Sequence, residues 1–247
     1  MDRGCRMIFL CFSSKDRYSV VKSCLYHLKN YGFDTWYDYH ELILGDKKTE
    51  KNFVNAIQSC DYFIIIYSYN LFNSPCAVKE EELIYAEAAR RNVPIFPLLY
   101  NIKFHELPGY IQEKVDNIIY NEITDNTGTI EPINQIVVKI LLDEMGYNEF
   151  SFTPFINSSL LNTIKDVFLK DILTEYLSIS KDNFNARISI LYCVYKYIAM
   201  NNVLEDTPIH YSQIIHYLCH YTKLNIPYNH KELIIAELII INLLRLI

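Results

Sequence analysis

The first 146 residues alternate short apolar runs with segments of helical periodicity, and this alternation restricts the fold more than any other feature. The apolar runs are MIFLCF (7–12), FDTWYD (33–38), YFIIIYS (62–68), VPIFPLLY (93–100) and NIIYNEI (117–123). Helical spacing predicts helices between and after them, over residues 17–32, 49–60, 77–92 and 131–146. Such alternation indicates an α/β fold with a parallel sheet between two layers of helices. The continuous run YFIIIYS is typical of a central strand, whereas the prolines of VPIFPLLY fit strand ends or an edge.

The pattern changes from about Ser151 onward, where only helical periodicity remains. The predicted helices are 158–179, 182–201, 208–222 and 230–247. We therefore predict an α/β domain over residues 1–148 and an all-helical domain over residues 149–247, which serves as a sensor or an oligomerisation unit. The last helix is apolar nearly all round, so it is either buried in its own bundle or packed against another subunit.

Composition restricts the partners and the cellular compartment. The formal net charge is −6 and the basic residues are scattered, which argues against a nucleic-acid partner. The seven cysteines include no CxxC pair, as expected for reduced thiols in a cytoplasmic protein. No secretory signal and no uncharged apolar run of membrane-spanning length is evident, so we expect no membrane association.

The segments that follow the predicted strands mark the ligand crevice, because open α/β sheets bind ligands at the carboxyl ends of their strands. These segments are FSSKD, WYDYHELILGD and SYNLFNSPCAVKEEE. They contain neither the GxGxxG fingerprint nor the P-loop lysine pattern. From the residues alone, Glu80 is a solvated acid in the first turn of a helix, favoured by the helix dipole. Ser68 and Asn70 either hydrogen-bond a ligand or cap a turn, and Trp36 is expected in the core.

The order of these segments resembles the TIR (Toll/interleukin receptor) family over about residues 5–146. The strings that carry the resemblance are IFLCFSSKD, GFDTWYDYHELILGD, NAIQSCDYFIIIYSYNLFNSPC and VPIFPLLY. The similarity is to bacterial catalytic members, and it implies a flavodoxin-like parallel sheet. Catalytic members carry the pattern S-x-W-x-x-x-E, which is matched here by Ser74 to Glu80. The resemblance implies that Glu80 is catalytic, while Cys76 replaces the tryptophan and removes a stacking surface for the substrate.

The resemblance also implies the chemistry, which is cleavage of NAD+ without a metal ion. Nicotinamide leaves as a neutral group, so no general acid is needed, and the ribose passes through an oxocarbenium-like transition state. A nearby carboxylate stabilises that positive charge. The attacking group then decides whether the product is ADP-ribose, a cyclic ADP-ribose isomer or a conjugate.

Other expected site residues follow from the same resemblance. Phe12 and Ser13 match positions that line the nucleotide pocket, and Ser14 and Lys15 lie in the loop that follows. Lys15 either meets the pyrophosphate or is an ordinary exposed lysine. Residues 38–45, from Asp38 to Gly45, match a loop that gates the pocket and contributes to self-assembly, or they form a plain surface loop.

Ser68, Ser74 and Cys76 complete the expected cofactor-binding set. Glu81 or Glu82 replaces Glu80 if the register of the loop shifts.

The resemblance places the protein in bacterial antiviral defence signalling, as a homo-oligomer whose nucleotide product activates a separate effector. The alternative is a non-catalytic TIR adaptor that acts by homotypic assembly, and a nucleoside hydrolase or transferase is a third reading. A response regulator phosphorylated on Asp38 is set aside, because the acidic cluster after the first strand is missing. His216 and His220 have helical i, i+4 spacing, but no third metal ligand is evident and no metal is expected.

Overall fold

A five-stranded parallel sheet with helices packed against it forms the N-terminal part of the protein, as expected from the sequence. The computed structural model describes residues 6–37, 50–146, 158–201 and 209–245. The strands are β1 (Met7–Cys11), β2 (Asp34–Trp36), β3 (Tyr62–Tyr67), β4 (Ile95–Tyr100) and β5 (Asn121–Ile123). Their order in the sheet is β2-β1-β3-β4-β5 and each pairing is parallel. The fold prediction is therefore confirmed.

Helices connect the strands and continue beyond the sheet. The helices of the sheet region are α1 (Lys22–Asn30), α2 (Glu50–Ser59), α3 (Tyr69–Phe72), α4 (Pro75–Arg91), α5 (Gly109–Val115) and α6 (Ile130–Glu144). The later helices are α7 (Ser158–Thr163), α8 (Val167–Ser178), α9 (Phe184–Met200), α10 (Ile209–Lys223) and α11 (His230–Leu244). A 3-10 turn (Ser14–Asp16) and a π-helical turn (Arg17–Val21) lead directly into α1.

Local sequence signals account for several of these boundaries. The α4 helix begins at Pro75 because the Ser74 hydroxyl accepts a hydrogen bond from the Ala77 backbone N–H at 3.4 Å and proline suits the first helical position. The α1 helix ends at Asn30, and Gly32 shortly after it has a φ of 80°, in the left-handed region. The backbone N–H of Phe33 then donates to the Leu28 carbonyl at 3.1 Å, which completes a Schellman motif.

Pro97 lies inside β4, although proline was expected only at strand ends or an edge. It pairs with Ile65 of β3 on one side. On the other side β5 pairs with β4 only from Leu98 onward. At Pro97, β4 therefore pairs with β3 alone. On the side that faces β5 there is no ladder of hydrogen bonds at this residue for the missing N–H to interrupt.

The predicted helix over residues 158–179 is two helices, α7 and α8. Asp166 separates them because it adopts an extended backbone and its carboxylate accepts a hydrogen bond from the Leu169 N–H at 2.9 Å. An aspartate in this position starts a new helix rather than continuing the previous one.

The structure divides into two compact units, Met1–Ile133 and Asn134–Ile247. This division lies within the first turn of α6, before the boundary predicted between residues 148 and 149. In the second unit, α9 and α10 pack against α11. Nearly every residue of α11 is buried, including both of its glutamates. Of the two expectations for this helix, burial within its own bundle is the one that the structure shows.

Candidate functional site

The order of the strands reverses between β1 and β3, and the segments that leave these two strands meet at this switch point. Open α/β sheets bind their ligands at such a point. Phe12 and Ser13 follow β1 and are both buried. The Ser13 hydroxyl accepts from the Lys15 N–H at 3.4 Å, so it caps the 3-10 turn. Ser14 and Lys15 are exposed, and Lys15 has no ion pair in the described part of the chain.

Asp16 joins the two segments, and sequence reasoning did not identify it. Its side chain is only 1% exposed. One carboxylate oxygen accepts from the Ser68 hydroxyl at 2.5 Å and the other accepts from the Asn70 amide at 2.6 Å. The Ser68 oxygen also accepts from the Leu71 N–H at 3.1 Å, which caps α3. Ser68 therefore has the capping role that was one of its two expected roles, and its contact with a ligand stays a prediction.

Glu80 lies in the second turn of α4 and is 9% exposed. This placement differs from a solvated first-turn acid, because the helix begins at Pro75, earlier than the predicted start at residue 77. Cys76 is one helical turn before Glu80 on the same face, and its thiol donates to the Glu80 carboxylate at 3.5 Å. Ser74, which caps the helix, is half-buried, and Cys76 is exposed.

Cys11 connects Glu80 to the sheet. It is the last residue of β1, fully buried, and its thiol lies 3.5 Å from the Ala77 carbonyl oxygen. Burial, followed by the negative charges of Glu80 and Glu81 and a hydrogen bond with Glu80, raises the pKa of the Cys11 thiol well above its usual value. The thiol therefore stays protonated. Glu80 thus lies at the carboxyl end of β1, beside the switch point.

The three consecutive glutamates have different surroundings, since successive helical residues point about 100° apart. Glu81 is 1% exposed and accepts from the Lys114 ammonium at 2.9 and 3.0 Å and from the Tyr67 hydroxyl at 3.1 Å. Glu82 is exposed. Glu81 is therefore bound into the contact between α4 and α5, and among the three only Glu80 adjoins Cys11 and Cys76.

Trp36 packs against the core of the sheet, as expected. Its ring stacks on Phe9 with the centroids 4.6 Å apart. Asp38 and Gly45, expected in the gating loop, lie outside the described residues.

The described residues contain no group of three or more His, Cys, Asp or Glu side chains that could hold a metal ion. His216 instead contacts the Ser212 carbonyl oxygen at 2.6 Å and lies 3.5 Å from the Lys196 ammonium. The six cysteines in the described part of the chain are free thiols. None of the helices described is both long enough and apolar enough to span a membrane.

Comparison with known proteins shows the family of the N-terminal part of the chain. Two solved structures are similar to part of this chain: the TIR domains of the activated Roq1 resistosome that recognises the pathogen effector XopQ, and the TIR domain of the Toll-related receptor TRR-2 from Hydra magnipapillata. The first is 21% identical, covers 55% of this chain and 99% of its own, and gives a TM-score of 0.46. The second is 16% identical, covers 56% of this chain and 97% of its own, and gives a TM-score of 0.41. No curated protein matches the chain. Residues 8–136, more than half of the sequence, match the family described as TIR domain, and the chain therefore belongs to the TIR domain family.

Proposed function

We propose that this TIR domain cleaves NAD+ and that Glu80 is its catalytic residue. The observation that carries the proposal is the position of Glu80: a largely buried carboxylate on α4, in contact with the last residue of β1 at the switch point of the sheet. The serine and glutamate of the family's catalytic pattern are both present, as Ser74 and Glu80.

The surroundings of Glu80 suit an electrostatic role. Cleavage of the bond between nicotinamide and ribose develops positive charge on the sugar, and a carboxylate shielded from water stabilises that charge more strongly than one in bulk solvent. Cys11 stays protonated because of its raised pKa, so it places no second negative charge beside Glu80. Glu81 is neutralised by Lys114 and faces α5. Of Cys11, Glu80 and Glu81, Glu80 is thus the group that presents a negative charge to the proposed position of the ribose.

The other expected residues have supporting roles in this proposal. Phe12 and Ser13 form the floor of the nucleotide site, and the exposed ammonium of Lys15 contacts the pyrophosphate. Ser74 fixes the start of α4 and with it the direction in which Glu80 points. The gating role expected of residues 38–45 stays a prediction. We further propose that the enzyme acts as a homo-oligomer in bacterial antiviral signalling, and that its nucleotide product activates a separate effector.

The test compares two glutamates of the same helix. Purified protein is incubated with NAD+ and the products are separated by liquid chromatography and identified by mass spectrometry. We expect Glu80→Gln to reduce nicotinamide release by about 100-fold or more, the size of effect that follows removal of one preorganised charge-stabilising group. The exposed Glu82→Gln should retain the wild-type rate within about twofold. Nicotinamide release by Glu80→Gln at the wild-type rate would show that another group performs the chemistry.

Cys76 favours one alternative function, a non-catalytic adaptor that acts by homotypic assembly. It is a small exposed thiol where catalytic members have tryptophan, so the aromatic stacking surface is missing. In this case neither the wild-type protein nor Glu80→Gln would release nicotinamide, even at high protein concentration and with extract from infected cells.

A further inference from the structure

Asn70 presents a side-chain amide whose orientation is fixed by a buried acid. It lies in α3, directly after β3, and is half-buried. Its Nδ2 donates to Asp16 Oδ1 at 2.6 Å. A carboxylate only accepts hydrogen bonds, so the NH2 group of the amide must face Asp16 and the carbonyl oxygen must face away.

Asp16 cannot easily turn to release this amide. It is 1% exposed, and its second oxygen is held by the Ser68 hydroxyl at 2.5 Å. Ser68 is itself fixed by the Leu71 N–H. Charge-assisted hydrogen bonds of this kind are about twice as strong as neutral ones, so the network holds Asn70 in one orientation.

The carbonyl oxygen of Asn70 has no hydrogen-bond partner among the residues that the structure describes. A side-chain carbonyl oxygen without a protein partner can accept a hydrogen bond from a ligand. Asn70 belongs to the segment that leaves β3, and its contact with Asp16 joins it to the segment that leaves β1 at the switch point. The carbonyl oxygen is therefore a preoriented acceptor at the edge where the ligand is expected.

We propose that Asn70 binds the substrate through its carbonyl oxygen and that Asp16 is the positioning residue that directs it. The inference deepens the proposed function, since it takes NAD+ as the substrate. The group that Asn70 accepts from is a neutral donor, which in NAD+ is a ribose hydroxyl, the carboxamide NH2 of nicotinamide or the adenine amino group.

The experiment measures binding and turnover in the full chain. The dissociation constant for NAD+ is measured by calorimetry in the Glu80→Gln background, and KM and kcat are measured with Glu80 present. We expect Asn70→Ala to raise both Kd and KM about threefold to tenfold, the effect of one neutral hydrogen bond, and to leave kcat within about twofold. Asn73→Ala is the matched control, because Asn73 is exposed and its amide donates only to the Tyr69 carbonyl at 2.7 Å.

Asp16→Asn tests the positioning role. The new amide offers a donor as well as an acceptor, so the Asn70 amide can turn over and present NH2 to the ligand instead of the carbonyl oxygen. We expect a rise in KM similar to that of Asn70→Ala. If Asp16 acts through Asn70, the double variant will be no weaker than Asn70→Ala alone, which a general structural role would not produce.

Two NAD+ analogues identify the donor. Nicotinic acid adenine dinucleotide lacks the carboxamide NH2, and nicotinamide hypoxanthine dinucleotide lacks the adenine amino group. If the wild type binds one analogue more weakly than NAD+ and Asn70→Ala removes the difference, the missing group is the donor. If Asn70→Ala weakens all three ligands equally, the donor is a ribose hydroxyl.

The failure of this inference is distinguishable from failure of the proposed function. Unchanged Kd and KM in Asn70→Ala, with NAD+ bound and cleaved by the wild type, would overturn the inference alone, whereas absence of NAD+ binding to the wild type would overturn both. NAD+ binding that depends on Asn70, without nicotinamide release, would support the inference and contradict the catalytic proposal. Should Asn70→Ala fail to fold, the KM of Asp16→Asn decides the question.

Discussion

The Lys114 ammonium of α5 contacts the Glu81 carboxylate of α4 at 2.9 and 3.0 Å. Replacing Lys114 tests whether this ion pair stabilises the fold. Methionine is the replacement, because it keeps the unbranched apolar chain and removes the ammonium group. Glu81, at 1% exposure, would then be left buried without its cation.

The structure sets the size of the effect. Removal of one partner from a fully buried ion pair costs about 3–5 kcal/mol. Lys114 retains 29% exposure of its side chain, and the Tyr67 hydroxyl still donates to Glu81. We therefore expect Lys114→Met to lower the free energy of unfolding by about 2–3 kcal/mol. The double variant Glu81→Leu/Lys114→Met should recover most of this loss, because an apolar pair no longer buries an uncompensated charge.

Urea unfolding followed by tryptophan fluorescence measures the stability of the first unit, which contains both Glu81 and Lys114. Trp36 is the only tryptophan of the chain, and its stacking on Phe9 makes it a reporter of the sheet. With slopes of about 1–3 kcal/mol per molar urea, the expected midpoint shift is about 0.7–3 M. The control is Lys103→Met, which breaks the Lys103–Glu122 contact of 2.5 Å, where the two side chains are 56% and 31% exposed. It should cost less than about 1 kcal/mol.

The reasoning is refuted if Lys114→Met changes stability by less than about 0.5 kcal/mol. A double variant no more stable than Lys114→Met would refute it too. Either result would mean that burial does not decide the strength of these ion pairs.

Two further predictions concern the thiols and the last helix. Iodoacetamide at pH 8 should label the exposed Cys76 and Cys193 well before Cys24 and Cys60, because burial raises the pKa of both buried thiols to about 12. Peptide mass spectrometry measures the labelling rates, and equal rates for Cys24 and Cys76 would contradict the described burial. Truncation after Asn229 removes α11, whose buried leucines and isoleucines contribute about 1.5–3 kcal/mol each, together more than the usual stability of a domain. We expect loss of hydrogen-exchange protection in the second unit, and retained protection there would argue that α11 is dispensable.

Periodicity and apolar runs were sufficient to predict the sheet and most helices, because both depend on residues close together in sequence. The short helices α3 and α5 were not predicted, since segments of four and seven residues are too short to establish a helical period. The break at Asp166 depends on the conformation of a single capping residue.

The candidate site was harder to predict, because its contacts join distant parts of the chain. Glu80 was identified through the resemblance, but its hydrogen bond with Cys11 of β1 joins distant parts of the chain. Asp16 ends the segment FSSKD, and its partners Ser68 and Asn70 follow more than 50 residues later. Lys114 likewise pairs with a glutamate more than 30 residues away. Spacing along the sequence does not indicate which of several acids finds such partners.

The position of β1 has a consequence for how the chain folds. This first strand lies inside the sheet, between β2 and β3. Its hydrogen bonds on one side form with residues 34–36, and those on the other side form with residues 62–65, which come later in the chain. Contacts between residues so far apart in sequence form slowly, because a long loop must close before they contribute. During synthesis the apolar run MIFLC therefore stays unpaired on one side until β3 has been made, and an unpaired strand edge of this kind favours aggregation.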